Sequence, residues 1–472
     1  MKIQMEATKT PLQVAKRAEA NFDSTLHELC DYLKIPAISC EPEHAPDVLL
    51  LAQKISERLS ALGFQSVVRS LPDALPLVFA ERRCARADAP TILVYGHLDL
   101  QPVQGERWDT NPHEGVVKQT DDGQRLFARG AADDMGGWVS HLAAVVAWLE
   151  EAGDVPVHLK FVIEGEEEIG SPNLERYMDA FASDFEADAM VLTDCENPAL
   201  DVPGLTTSLR GLLEVDLRCE ALQSDVHSGL WGNMAPDVSS ALIHLLARLS
   251  DKNGRPTFAR QEVDDAFRKS AERVPLDAEV VKVGAHLIEG VEPLDEEGRL
   301  PAEWLWRQPA ITVLSTTLPR PTEHKNALRA SAQASLSIRI PPGAEKAQLL
   351  SELSALLLVE PPGGVRVTLH ERAGGAESWL YTPKGPAFEA ADRAYEKSWG
   401  RPLCQMGIGG SIPFVALFGR RYAHLPLILN GVMDPKTGAH GPNESLHLEV
   451  FRKAIAANVY LYDELSRVRF ER

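Results

Sequence analysis

Four short, β-rich and largely apolar runs, at positions 91–95, 157–163, 189–193 and 425–429, set the frame within which this chain must fold. Runs without the apolar–polar alternation of a half-wet strand suit strands buried on both faces of a parallel sheet. Between the first two runs, Trp138, Leu142, Val145, Val146 and Leu149 fall on one face of a helix over 137–149. Strand, helix and strand in that order predict an α/β sheet with helices packed against it. Further helices are expected over about thirty residues after Pro11 and over 47–62, where Gly63 supplies the stop.

From about residue 207 to 383 the pattern changes. Leu213, Val215, Leu217 and Cys219 alternate with Glu214, Asp216 and Arg218, and Ala332, Ala334, Leu336, Ile338 and Ile340 alternate with serine and arginine. Val365, Val367 and Leu369 repeat the alternation. Period two marks strands with one buried face, hence a separate antiparallel sheet, with helical stretches at 236–249 and 345–358 to cover it. The expected fold class is therefore α/β: a mixed, mainly parallel sheet domain flanked by helices, formed by 1–206 and 384–472 and interrupted by an α+β insert at 207–383. A length of 472 residues agrees with two or three domains.

Composition narrows the class of partner. With 44% hydrophobic and 25% charged residues and no apolar run near the ~18 residues of a membrane span, no membrane domain is expected. Residues 1–20 lack the apolar stretch of a secretory signal, which points to the cytoplasm. A net charge of −20 argues against nucleic acid and anionic membrane surfaces, whose phosphates it would repel. Small cationic or zwitterionic ligands remain compatible. Six cysteines without a CxxC pair suggest reduced structural thiols, neither a disulfide framework nor a thiolate zinc site.

Three of the apolar runs end in residues that bind metals. The first leads into Gly96-His97-Leu98-Asp99, the second into Glu164-Gly165-Glu166-Glu167-Glu168, and the third ends at Asp194. In open α/β sheets, ligands bind beyond the carboxyl ends of the strands, where successive loops converge. The stretch from Arg129 to Gly137 adds Asp133 and Asp134 ahead of a helix. Taken singly, His97 could be a hydrogen-bonded core histidine, Glu166 to Glu168 a solvated turn, and Asp134 or Asp194 a helix cap. Together at strand ends, one histidine and several carboxylates suit a catalytic Zn²⁺ or Mn²⁺ centre.

These strings, with Ile169-Gly170-Ser171 after the glutamates and Ala439-His440-Gly441-Pro442-Asn443-Glu444 near the end, resemble in order and spacing the M20 metallopeptidase family over nearly the whole chain. The resemblance implies two divalent ions per subunit, Zn²⁺ first with Mn²⁺ and Co²⁺ as alternatives. Asp133 would bridge them, with His97 and Asp194 holding one and Glu168 and His440 the other. It further implies that Asp99 orients His97 and fixes its tautomer. Glu167 would be the general base, taking a proton from a metal-bridging water and returning it to the leaving nitrogen. Glu166 is acidic where the family pattern is not, which leaves open a register shifted by one residue.

Within the insert, Asp225-Val226-His227-Ser228-Gly229 resembles the family's His-Ser-Gly segment. That implies His227 reaches the partner subunit's active site and helps hold the oxyanion, hence a homodimer through the insert, which acts as a lid and dimerisation domain. A plain surface histidine is the alternative. Arg339 resembles the family arginine for the substrate's terminal carboxylate, and Gly409-Gly410-Ser411 resembles the glycine-rich loop beside it. The extra stretch at 253–308 resembles the carnosinase-like cytosolic dipeptidase branch. The implied activity is hydrolysis of dipeptides or similar small aminoacyl substrates with a free carboxylate. An N-acyl-amino-acid deacylase or carboxypeptidase is the alternative, and a non-catalytic binding protein on this fold the third reading.

Overall fold

The computed structural model describes residues 9–294, 298–410 and 413–470. The chain divides into two compact units, one of Met1–Thr206, Thr382–Gln405 and Leu417–Arg472, the other of Thr207–Tyr381 and Met406–Ala416. The short Met406–Ala416 segment thus groups with the insert, although the sequence pattern placed everything after 383 in the first domain.

The first unit is built on a six-stranded sheet. Its spatial order is Gln65–Arg69, Leu77–Arg82, His158–Glu164, Thr91–His97, Ala189–Leu192 and Leu427–Leu429. The last four strands are parallel, and the first two add an antiparallel edge. Every residue of His158–Glu164 and all but Thr91 of Thr91–His97 are buried, as expected for strands covered on both faces. Register carries the functional consequence: His97 lies beside Glu164, and Tyr95 lies beside Leu192, two residues before Asp194. The loops that carry His97, the glutamates after Glu164, and Asp194 therefore leave the sheet at the same edge.

Helix Met135–Ala152 is buried along most of its length and ends at Gly153, whose φ of 78° gives the left-handed turn that glycine adopts without strain. Its Trp138 ring stacks at a tilt on Tyr32 of helix Phe22–Leu33, with centroids 5.3 Å apart. Helix Leu448–Leu465 is a second buried helix of this unit. A small sheet of Val116–Thr120, Gly123–Phe127 and Ser445–His447 ties the last part of the chain to the first.

The second unit carries an antiparallel sheet in the order Ala310–Thr316, Ser331–Ile340, Gly211–Glu220 and Arg366–Glu371. Leu213, Val215, Leu217, Leu336 and Ile338 line its inner face against Leu242 and Leu245 of helix Val238–Ala247 and Leu349 and Leu353 of helix Lys346–Leu358. Each fully buried leucine contributes about 1.5–3 kcal/mol of transfer free energy toward holding the sheet and its helices together. Ala310–Thr316 is an edge strand with mostly exposed residues, and so lacks the alternation that marks its neighbours. Among the described residues, no helix is long and apolar enough to cross a membrane.

Candidate metal centre

Asp133 faces two histidines from opposite ends of its carboxylate. Its Oδ1 is 3.1 Å from His97 Nε2, and its Oδ2 is 3.1 Å from His440 Nε2. His97 Nε2 is also 4.0 Å from Asp194 Oδ2, and His440 Nε2 is 3.2 Å from Glu168 Oε2. Two sets, His97 with Asp133 and Glu168, and His97 with Glu167 and Asp194, each bring one donor atom per residue within 4.8 Å of the others. All these residues belong to the first unit.

Local folding explains why they meet. His97 ends a buried strand, so its ring is held at the sheet edge. Asp134, next to Asp133, precedes helix Met135–Ala152 without making a side-chain capping bond. Instead its Oδ2 accepts the Thr193 hydroxyl at 2.6 Å and the backbone N–H of His97 at 3.2 Å, joining three of the converging loops. Gly137 permits that packing, because a Cβ there would stand 2.0 Å from Asp134 Oδ1 and 2.8 Å from the Thr193 carbonyl. His440 takes a φ of 62°, a left-handed conformation that costs a non-glycine residue about 1–2 kcal/mol.

Asp99 acts in two directions. Its backbone carbonyl lies 3.1 Å from His97 Nδ1, closer than its own carboxylate at 3.5 Å. The carboxylate also accepts the backbone N–H groups of Glu167, at 3.1 Å, and Glu168, at 3.0 Å. Glu166 turns away from this cluster: its Oε1 accepts the N–H of Leu75 at 2.7 Å and the Asn173 side-chain amide at 3.0 Å.

The electrostatics call for cations. Four carboxylates, Asp133, Glu167, Glu168 and Asp194, share a mostly buried site with two imidazoles. Burial, reinforced by Asp133, pushes Asp194 well above the carboxylate range. Burial pushes Glu167 up to about 8 against the charge of His97, with Glu168 and Asp133 adding to the rise. Burial opposes ionisation of Asp133, but its bonds to His440 and His97 win and hold it low. Burial likewise disfavours charge on His97, yet the Asp133 and Asp99 bonds raise it, while Asp133 and Glu168 raise His440 to about 11. Surplus buried negative charge, nitrogen and oxygen donors without a thiolate, and a carboxylate with one oxygen toward each histidine all fit a pair of divalent ions.

The remaining sequence-derived candidates lie in the second unit. His227 ends the two-residue strand Val226–His227, is exposed, and accepts the N–H of Gly229 on Nδ1 at 3.0 Å. Arg339 stands half-buried on strand Ser331–Ile340. The Gly409 carbonyl accepts from Arg210 Nε at 3.2 Å, Gly410 follows it in a bend, and Ser411 lies outside the described residues. Sequence reasoning assigned no role to Glu444, although it belongs to the His440 string. It is buried, and its two oxygens accept the N–H groups of Gly130, Ala132 and Asp133 and the Arg129 guanidinium.

Known proteins resemble this chain along nearly all of its length. The model of "Peptidase family M20/M25/M40" matches residues 93–464. Cysteinylglycine-S-conjugate dipeptidase of Corynebacterium striatum is 30% identical over 459 residues, covering 96% of this chain and 98% of that protein. Cys-Gly metallodipeptidase DUG1 of Saccharomyces cerevisiae is 26% identical over 462 residues, covering 92% and 94%. The crystal structure of human carnosine dipeptidase 1 shares the fold with a TM-score of 0.72 at 21% identity, covering 98% of this chain and 100% of that one.

Proposed function

The chain belongs to peptidase family M20/M25/M40, and from that premise we propose that it is a dinuclear metal-dependent dipeptidase, acting on dipeptides or similar small aminoacyl substrates with a free C-terminal carboxylate. The observation that carries the reading is Asp133, with one oxygen 3.1 Å from His97 and the other 3.1 Å from His440. His97 and Asp194 would hold one ion, Glu168 and His440 the other, with Zn²⁺ the first choice and Mn²⁺ or Co²⁺ alternatives. When bound, such ions polarise the scissile carbonyl and acidify the attacking water.

The protein's own groups handle the proton and the substrate. Glu167 accepts the water's proton on a carboxylate oxygen and delivers it to the leaving nitrogen. Asp99 holds the backbone of Glu167 and Glu168 together, so base and neighbouring ligand keep a fixed spacing. His227, from the partner subunit of a homodimer formed through the insert, donates to the developing oxyanion. Arg339, Gly409, Gly410 and Ser411 receive the terminal carboxylate. The dipeptide preference over N-acyl amino acids is supported by the names of the relatives, cysteinylglycine and β-alanyl-histidine dipeptidases among them.

The test is hydrolysis by metal-stripped protein resupplied with Zn²⁺, Mn²⁺ or Co²⁺. The substrates are cysteinylglycine, β-alanyl-histidine, a wider dipeptide panel and the N-acetyl derivatives of single amino acids. Metal-dependent cleavage of dipeptides in preference to the acetylated amino acids is expected. Cleavage of the acetylated set alone would transfer the chain to the deacylase reading, and inertness toward both would end the catalytic one.

A further inference from the structure

We propose that Arg210 pairs with Arg339 as a two-arginine clamp for the substrate's C-terminal carboxylate, which makes Arg210 a second specificity-determining residue of the second unit. The inference rests on the dipeptidase reading and adds a residue to it.

Strand register puts the two arginines together. Arg339 stands directly across from Leu212 in the pairing of Ser331–Ile340 with Gly211–Glu220. Residues directly opposite in an antiparallel pair project from the same face. Gly211, Leu213 and Val215 are buried, so Leu212 and Arg339 occupy the face away from the hydrophobic core. Arg210 lies two residues before Leu212, in the junction between strands Gly204–Leu209 and Gly211–Glu220, its backbone N–H donating to the Ile408 carbonyl at 3.2 Å. One residue beyond the Gly211–Ile340 pair, it lies beside the end of the strand that carries Arg339. The charges sense each other: burial first, and then Arg339, pull Arg210 down to about 10, which leaves it cationic at neutral pH.

The surroundings of this pair suit an anion. Arg69, Arg82, Arg125 and Arg129 of the first unit each bond a carboxylate, from Asp184, Asp154, Asp434 and Glu444 respectively, whereas Arg307 of the second unit, like Arg210, bonds a neutral oxygen, that of Thr207. Among the described residues, neither Arg210 nor Arg339 has an acidic partner. The hydrogen bond of the Arg210 side chain goes to the neutral Gly409 carbonyl through Nε. Two like charges drawn partly out of water repel each other and are costly unless an anion joins them. A carboxylate matches the fork of the remaining guanidinium donors.

Gly409 is fitted to Arg210. A Cβ there would meet Arg210 Nη2 at 2.7 Å and Cζ at 3.6 Å, so a larger residue would push the guanidinium from its place against this loop. The plainer role for Arg210, pinning the loop through Nε, needs no anion and makes a different prediction.

The experiment compares the metal-loaded wild type with R210Q, R210K and G409A. Steady-state constants are measured for a dipeptide and for its C-terminal amide. Calorimetry then measures binding of a non-cleavable analogue whose peptide bond is replaced by CH2–NH, again as free acid and as amide. For R210Q, KM for the free acid should rise about 10–100-fold with kcat little changed, the size of one charge-assisted bond, while constants for the amide hardly move. R210K should retain part of the preference. G409A displaces the guanidinium without removing its charge and should lose the same discrimination, which keeps the test open if R210Q does not fold. Equal loss of kcat for acid and amide would assign Arg210 to loop pinning and overturn the clamp, as would an unchanged acid-to-amide ratio. If the wild type cleaves no dipeptide, the dipeptidase reading fails, and calorimetry still decides the clamp: R210-dependent preference for the free acid supports it, and no preference overturns it.

Discussion

Glu444 holds Asp133 from behind: its Oε1 accepts the Asp133 backbone N–H at 3.1 Å, in the same grip that takes the N–H of Ala132. Its Oε2 accepts Gly130 N–H at 3.0 Å and Arg129 Nη1 at 2.9 Å. Four donors therefore converge on one buried carboxylate to set the loop that presents Asp133, the residue proposed to bridge the ions. Glu444→Gln keeps the shape but replaces one acceptor oxygen with an NH2 group that faces other donors. Metal affinity should fall about 10–100-fold, as for other groups that orient ligands, with helical circular dichroism retained. Competition against a chelator of known affinity measures it, and wild-type affinity in the variant would remove Glu444 from this role.

Loading the centre should expel protons. Without metal, His440 is raised to about 11 and Glu167 to about 8, so both carry a proton at pH 7. An imidazole must be neutral to bind a metal, so protons and ions compete, and affinity must rise with pH. We expect about one log unit of affinity per pH unit for each proton displaced between about pH 6 and 8. Metal titrations in buffers of different ionisation enthalpy count the protons directly; pH-independent affinity with no proton release would contradict the charge balance described above.

Gly431 sits where the Asp194 loop passes the sheet edge. A Cβ there would be 2.1 Å from the Cys195 carbonyl, 2.4 Å from that of Thr193 and 2.7 Å from Cys195 N, all backbone atoms with little room to yield. Gly431→Ala should destabilise the protein by about 1–3 kcal/mol and displace Asp194 from His97. Denaturant midpoint and metal content together check this, and both should drop.

His141 is a buried histidine outside the centre, 2.9 Å from the Tyr462 hydroxyl through Nδ1. Burial pulls it down to about 3, against about 6.5 in the unfolded chain. A depressed folded value means the neutral ring's stability is complete above about 6.5 and is lost as pH falls toward 3. Relative to His141→Gln, the wild type should lose about 1.4 kcal/mol per pH unit across that window. Parallel stability curves for the two proteins below pH 6 would show that His141 is not the group responsible.

The legible part of the molecule was the part governed by local pattern. Thr91–His97, His158–Glu164 and Ala189–Leu192 announced themselves through apolar residues because both faces of each strand are covered. Gly211–Glu220 and Ser331–Ile340 did so through alternation because one face is. His97, Asp133, Glu168, Asp194 and His440 were recognisable from their strings, and the structure brings them to one site. Relationships set by long-range contact left no local trace. Asp99 carries no sign that its carboxylate binds the backbone of residues 68 and 69 positions away. Glu166 looks like its two neighbours until Leu75 and Asn173 claim it. Val116–Thr120 and Gly123–Phe127 are short and largely half-exposed, so no local pattern marks their hairpin.

Glu167→Gln, loaded with metal and assayed on dipeptides, tests the central claim most directly. The variant should keep about two ions per chain, because metal retention is assigned to the other residues, while turnover falls by about 10²–10⁴-fold, the range of a lost general base. Retained turnover, or loss of metal in step with activity, would contradict the assignment of Glu167 as base.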